Sequence, residues 1–306
     1  MTRSQLDAVS DLLLNSPLDL GGDVATMRRV FEEVLGAAPL PGDVRTRKTD
    51  LGGVPAVEVR AGGTAAAAGT LLYFHGGAYA IGSAAAGVGL ASEIARRTAA
   101  TALSVDYRLA PEHPFPAAVD DALAAYRTLL DRGTPADSIA VTGESAGGGL
   151  ALALLLAIRD AGLPQPSSAS VLSPWTDLTQ SGGTMATRAD ADPALTRRAL
   201  ETRAADYLAG ADPRTPLASP LHADLRGLPP LLIQAGGREI LLDDALRLAA
   251  RAAHADVPVT LRIFPGAPHV FQGFAPLVDE AAEALDQIAA FVTGHLRPST
   301  CSAQGA

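Results

Sequence analysis

Apolar positions along this chain fall into two kinds of pattern. In the first 45 residues Leu6, Val9, Leu12 and Leu13, and then Met27, Val30, Phe31, Val34 and Leu35, recur at helical spacing. Gly21-Gly22 and Ala38-Pro39 punctuate these helices. Residues 54–59 alternate as a strand and run into a turn through Gly62-Gly63 and the alanines 65–68. From there short apolar runs predict strands over 70–74, 101–105, 138–142, 169–172, 230–235 and 259–264. Helical stretches lie between and after them, at about 84–100, 116–132, 147–161, 240–255 and 277–296. Strictly alternating strands and helices imply a mostly parallel sheet with helices on both faces. The rhythm breaks over 176–226, where a polar, Gly- and Thr-containing segment and a helix around 193–208 separate two strands. An insertion at the carboxyl ends of strands is where a lid covers a ligand crevice. The reading is one α/β domain over 1–297, with a helical cap from about 1–45 and 176–226, and a disordered polar tail over 298–306.

Composition narrows the partners. The chain has 306 residues and a formal net charge of −9, which argues against nucleic acid or an anionic membrane, since both need basic surface. The single cysteine, Cys301, rules out a disulfide or a thiolate metal site within the chain. The N-terminus lacks the basic start and apolar core of a signal peptide. The longest apolar run, residues 150–158, is about half a membrane span. A cytoplasmic protein acting on a small molecule, with no metal or organic cofactor, is the expectation.

Candidate chemistry then falls into place on the predicted elements. Gly143-Glu144-Ser145-Ala146-Gly147 joins a predicted strand directly to a predicted helix, which is the frame that makes G-x-S-x-G a nucleophile elbow. The turn needs glycine on either side, and it aims a helix N-terminus at the place where negative charge would develop. A serine needs a base, and the base an orienting acid. Of six histidines, His269 lies in the loop after the last strand, downstream of the serine. His254 and His295 end helices, His222 is expected at the surface, and His113, among prolines, has a structural look. Glu239 is the first carboxylate after strand 230–235, and Asp243, one turn later, is the alternative acid. After strand 70–74 comes His75-Gly76-Gly77-Ala78-Tyr79, an HGGG-type loop. The backbone N–H groups of Gly77, Ala78 and Ala146 are the expected oxyanion donors, with His75 holding the loop in shape. Tyr79, Trp175, Tyr207 and Phe271 are candidate pocket walls, although each is equally suited to core packing.

With the glycine loop, elbow and histidine in this order, residues 50–297 resemble the hormone-sensitive-lipase-like family of bacterial α/β-hydrolase esterases, marked by HGGG and GDSAGG. The stretch Asp106-Tyr107-Arg108-Leu109-Ala110-Pro111-Glu112-His113-Pro114-Phe115-Pro116-Ala117 is very like the family's YRLAPE-x-PFPA segment, which the resemblance makes a brace for the oxyanion loop. Ser173-Pro174-Trp175-Thr176-Asp177-Leu178 matches as well. Three departures stand out: Ala78 for the last glycine, Glu144 for aspartate, and Glu239-Ile240-Leu241-Leu242-Asp243 for D-P-L-x-D, which aligns Glu239 with the family's acid. The resemblance implies a serine carboxylesterase for short-chain acyl esters. A lactone hydrolase or deacetylase of a small metabolite shares the same site, and a non-catalytic small-molecule receptor is the remote alternative. It also implies a possible homodimer through an edge strand, for which 259–264 is the candidate.

Overall fold

Strands that are apolar on both sides belong in the middle of a sheet covered on both faces, and the computed structural model arranges them so. It describes residues 2–36, 40–62 and 68–297. The expected tail over 298–306, the Ala38-Pro39 break and most of the alanine-rich turn lie outside the described residues. Eight strands form one sheet: Val44–Asp50 (β1), Pro55–Ala61 (β2), Thr70–Phe74 (β3), Thr101–Val105 (β4), Ile139–Glu144 (β5), Ser168–Leu172 (β6), Leu231–Gly236 (β7) and Val259–Phe264 (β8). Their spatial order is β1-β2-β4-β3-β5-β6-β7-β8. The pairs β1–β2 and β2–β4 are antiparallel, and every other pair is parallel.

The helices are Thr2–Leu14 (α1), Val24–Gly36 (α2), Val88–Thr98 (α3), Ala117–Asp131 (α4), Ala146–Asp160 (α5), Thr184–Thr187 (α6), Arg197–Leu208 (α7), Leu242–His254 (α8) and Asp279–His295 (α9). Successive side chains of one strand go to opposite cores. Leu72 and Phe74 of β3 join the cluster under α4, α5 and α8, whereas Leu71 and Tyr73 join the one under α3 and α9. Helix α5 is apolar all round because it is buried all round: Leu150, Leu152, Leu154 and Leu155 are wholly inaccessible. Each such leucine contributes about 1.5–3 kcal/mol of burial. No helix among the described residues is long and apolar enough to cross a membrane.

The sequence pattern misses β1. Its seven residues, VRTRKTD, are exposed at most positions, so they carry no apolar alternation. The strand is held instead by its ladder to β2 and by ion pairs such as Arg47–Glu58 at 2.7 Å, as suits a charged sheet edge.

The segments expected to form a cap pack against residues at the carboxyl ends of the strands. Helix α1 packs Leu6 and Val9 against Phe264, Ala267 and Phe271, beyond β8. Helix α2 packs Met27 against Ala80 and Ile81, beyond β3. Helix α7 brings Tyr207 onto Tyr79, their rings stacked with centroids 3.9 Å apart.

Candidate active site

Ser145 is the single residue between β5 and α5, and its backbone stands at φ 55° and ψ −122°. A non-glycine residue there is strained, and the neighbours show what enforces it. A Cβ on Gly143 would lie 2.2 Å from the carbonyl oxygen of Gly147, and one on Gly147 would lie 2.1 Å from that of Phe74. The hydroxyl is therefore presented at the carboxyl end of the sheet, half-buried, at the start of α5. His269 reaches it from the loop after β8, with Nε2 2.9 Å from Ser145 Oγ. On its other side Nδ1 lies 2.6 Å from Glu239 Oε2. Glu239 is fully buried, and its Oε1 accepts hydrogen bonds from the Gly236 N–H at 2.6 Å and the Ser173 hydroxyl at 2.9 Å. Burial by itself would depress the His269 pKa. The hydrogen bond and charge of Glu239, helped by Asp192 and Glu144, outweigh it and raise the pKa above the ordinary 6.5. Asp243 makes no such contact: its carboxylate accepts from the Thr184 N–H at 3.1 Å and its own N–H donates to Thr184 Oγ1.

The loop after β3 also runs close to the elbow, where a Cβ on Gly76 would lie 3.3 Å from the Ser145 Cβ. Gly77, Ala78 and Tyr79 have φ of 117°, 52° and 61°, a run of left-handed conformations closed by the N–H groups of Ala80 and Ile81 donating to the Gly77 carbonyl. A Cβ on Gly77 would lie 2.2 Å from the carbonyl of Ile81. Among the described residues none accepts a hydrogen bond from the N–H of Gly77, Ala78 or Ala146. Unspent donors on a glycine loop and a helix N-terminus are suited to an oxyanion. Glu144 ties the loop to the elbow, accepting from the Gly76 N–H at 2.7 Å and from the Tyr73 hydroxyl. Burial pushes its carboxyl up to about 7 against the pull of those hydrogen bonds.

Residues 71–273 match the family described as alpha/beta hydrolase fold. An esterase of the bacterial hormone-sensitive lipase family has a solved structure 43% identical in sequence. It superposes with a TM-score of 0.92 over 96% of this chain and 98% of its own. The chain belongs to the bacterial hormone-sensitive-lipase family. It is thereby a carboxylic ester hydrolase, and the names of its relatives agree. An acetyl-hydrolase of Streptomyces hygroscopicus is 48% identical over 73% of this chain and 75% of its own length. An esterase of Acinetobacter venetianus is 36% identical over 92% of each.

In this hormone-sensitive-lipase-family esterase His75 is no rival base. It is buried, stacked on Tyr107 at 4.3 Å, with Nδ1 2.7 Å from the Gly76 carbonyl, and burial lowers its pKa to about 4. Of the other histidines, His222 is partly buried and lies 3.1 Å from Asp177, while His113, His254 and His295 are exposed. The segment 106–117 does touch the glycine loop: Tyr107 donates its hydroxyl proton to the His75 carbonyl at 2.7 Å, and the Ala110 N–H donates to the Tyr79 carbonyl at 2.9 Å.

The expected walls need correcting. Tyr79, Trp175, Tyr207 and Phe271 are each at most 1% exposed, so none lines an open pocket. Tyr79 and Trp175 fill the core together with Tyr207 of α7, and Phe271 is wedged between α1 and Phe264. Aromatic rings near a site are drawn into core packing because that is where they bury most area. One residue close to the acid went unassigned in the sequence. Ser173, at φ 46° just past β6, donates to Glu239 and accepts from the Val270 N–H at 3.1 Å, joining the loops that carry Glu239 and His269. Its place at a strand end, opening the family-like stretch Ser173–Leu178, was the signal available.

Proposed function

We propose that this esterase hydrolyses short-chain acyl esters through an acyl-enzyme formed on Ser145. The observation that carries the reading is the unbroken line Ser145–His269–Glu239, at 2.9 and 2.6 Å, beside a glycine loop and helix start whose three backbone N–H groups are unspent. His269 Nε2 takes the hydroxyl proton as Ser145 Oγ attacks the ester carbonyl. Glu239 fixes the tautomer, with the Nδ1 proton directed at Oε2, and stabilises the imidazolium that forms. The carbonyl oxygen becomes an oxyanion held by the N–H groups of Gly77, Ala78 and Ala146. Collapse breaks the ester C–O bond, and His269 returns its proton to the leaving alcohol. Water, deprotonated by the same imidazole, then attacks the acyl-enzyme and releases the acid and free Ser145.

A preference for a small acyl group is what the resemblance to the hormone-sensitive-lipase family implies. The name acetyl-hydrolase borne by the Streptomyces relative points the same way and keeps removal of acetyl groups from a metabolite as a second reading.

The test is a panel of p-nitrophenyl esters from acetyl to dodecanoyl, beside lactones and acetylated amines and alcohols, with Ser145→Ala as the blank. Fast turnover of the acetyl to hexanoyl esters that vanishes in Ser145→Ala is the expected result. Preference for a lactone or an acetylated amine would transfer the assignment to those substrates, and ligand binding without any turnover would overturn catalysis.

A further inference from the structure

The oxyanion turn is held from the cap by one guanidinium. Arg28 lies on α2, next to Met27, whose side chain is buried on Ala80 and Ile81. Its Nε donates to the Ala80 carbonyl at 2.9 Å, and its Nη2 donates to the Ala110 carbonyl at 2.9 Å. The same fork closes on Glu112, with Nη1 to Oε1 at 2.9 Å and Nη2 to Oε2 at 2.7 Å. Four contacts thus join the cap helix to Ala80, the residue that follows the left-handed run Gly77-Ala78-Tyr79, and to the segment that braces it.

Two of the three residues in that run are not glycine, so the turn does not prefer its own shape and must be held by its surroundings. Inside the loop it is held by the Gly77 carbonyl accepting from Ala80 and Ile81. Outside, the Ala110 N–H holds the Tyr79 carbonyl and Arg28 holds the next carbonyl along, that of Ala80. Planarity matters here: a forked cation satisfies two backbone carbonyls and a carboxylate at once, which an ammonium does not.

We propose that Arg28 is a positioning residue for ester hydrolysis, through which the seated cap helix keeps the N–H groups of Gly77 and Ala78 aimed at the oxyanion. The proposal rests on the reading that those two groups are the oxyanion donors. The cap then acts on the rate of bond-making as well as on substrate size. A donor displaced by about 1 Å costs on the order of 100-fold in rate, so a loosened turn is expected to lower kcat by about 10- to 100-fold.

The experiment compares wild type, Arg28→Ala and Arg28→Lys with p-nitrophenyl acetate and butyrate, together with binding of a trifluoromethyl ketone, whose serine adduct carries the oxyanion. In Arg28→Ala, kcat should fall with KM nearly unchanged, the ketone should weaken by the same factor, and added methylguanidinium should restore part of both. If Arg28→Ala does not fold, Arg28→Lys carries the test: it keeps the charge opposite Glu112 and loses the fork, so kcat should fall while Tm stays close to wild type. An unchanged kcat with a lower Tm would reduce Arg28 to a fastening for the cap, and a raised KM with kcat intact would make the cap a binding element; either overturns the proposal. Ser145→Ala separates the two levels. Turnover persisting in it overturns the triad itself, whereas full dependence on Ser145 with normal kcat in Arg28→Ala overturns only the clamp.

Discussion

As the proposed base, His269 is useful only when deprotonated, and its surroundings make that harder. Burial favours the neutral ring, but Glu239 favours the charged one more strongly and the pKa rises above 6.5. The acid limb of kcat/KM for p-nitrophenyl butyrate should therefore lie above the ordinary histidine value, with activity growing as pH rises through it. Glu239→Gln removes the charge that raises it. Its amide oxygen stays under the two donors from Gly236 and Ser173, leaving the NH2 group towards Nδ1 and imposing the wrong tautomer. Expected is a loss of kcat on the order of 10³- to 10⁴-fold and a limb displaced to lower pH. A limb that stays in place in Glu239→Gln would disprove the pairing. At this scale order along the chain was enough to single out Ser145 and His269, whose side chains the structure brings within 2.9 Å. Glu239 faces His269 because it is still in the loop, whereas Asp243 already belongs to the start of α8 and serves Thr184. Ser173 and the fate of the aromatic residues were illegible, since a hydroxyl two loops away and a ring in a core leave no periodic trace.

Elements were read well where both faces are buried and poorly where neither is. β3, β5 and β7 announce themselves as apolar runs, but β1 lies exposed at the sheet edge and reads as polar coil. The glycines at the elbow announce geometry rather than burial, and they differ sharply from others nearby. Gly147 starts α5 hard against β3, where a Cβ would also come within 2.5 Å of the His75 carbonyl, at the root of the oxyanion loop. Exposed Gly89, in α3, has no atom within 4 Å of an added Cβ. Gly147→Ala should thus push α5 and the loop apart, lowering both Tm and kcat, the latter by about 100-fold or more. Gly89→Ala should raise stability by about 0.5–1 kcal/mol and leave kinetics alone. Thermal melts and steady-state kinetics on the pair distinguish a packing requirement from a general dislike of alanine.

For the molecule as a whole, the join between the inserted segment and the sheet is a buried carboxyl. Asp244, in the first turn of α8, accepts from the N–H groups of Thr176 at 2.7 Å and Asp177 at 2.9 Å, where the insertion begins. Asp177 carries the join onward, accepting from Arg247 at 2.9 Å and from the hydroxyl of Ser181 at 2.6 Å. Burial pushes the Asp244 carboxyl up to about 7, with the charge of Asp177 adding to it and the Thr176 hydrogen bond opposing. A folded pKa above the unfolded one means that the native state binds the proton more tightly. The stability so gained is fully present below about 4 and is lost as pH rises to about 7. Glu144 adds a decline of the same sign over its own range. His75 works in the opposite direction: held neutral with a pKa near 4, it withdraws stability as pH falls below 6.5. Native stability should accordingly peak on the acid side of neutrality, although the chemistry at His269 asks for a higher pH. Asp244→Asn keeps an oxygen for the two amides and removes the titration. Its melting temperature should decline less than that of wild type between pH 5 and pH 8, the difference corresponding to at most about 3 kcal/mol at 1.36 kcal/mol per pKa unit over the two units from pH 5 to about 7. Parallel declines in the two proteins would mean that Asp244 is ionised throughout, and that the insertion is tied down by charge rather than by a shared proton.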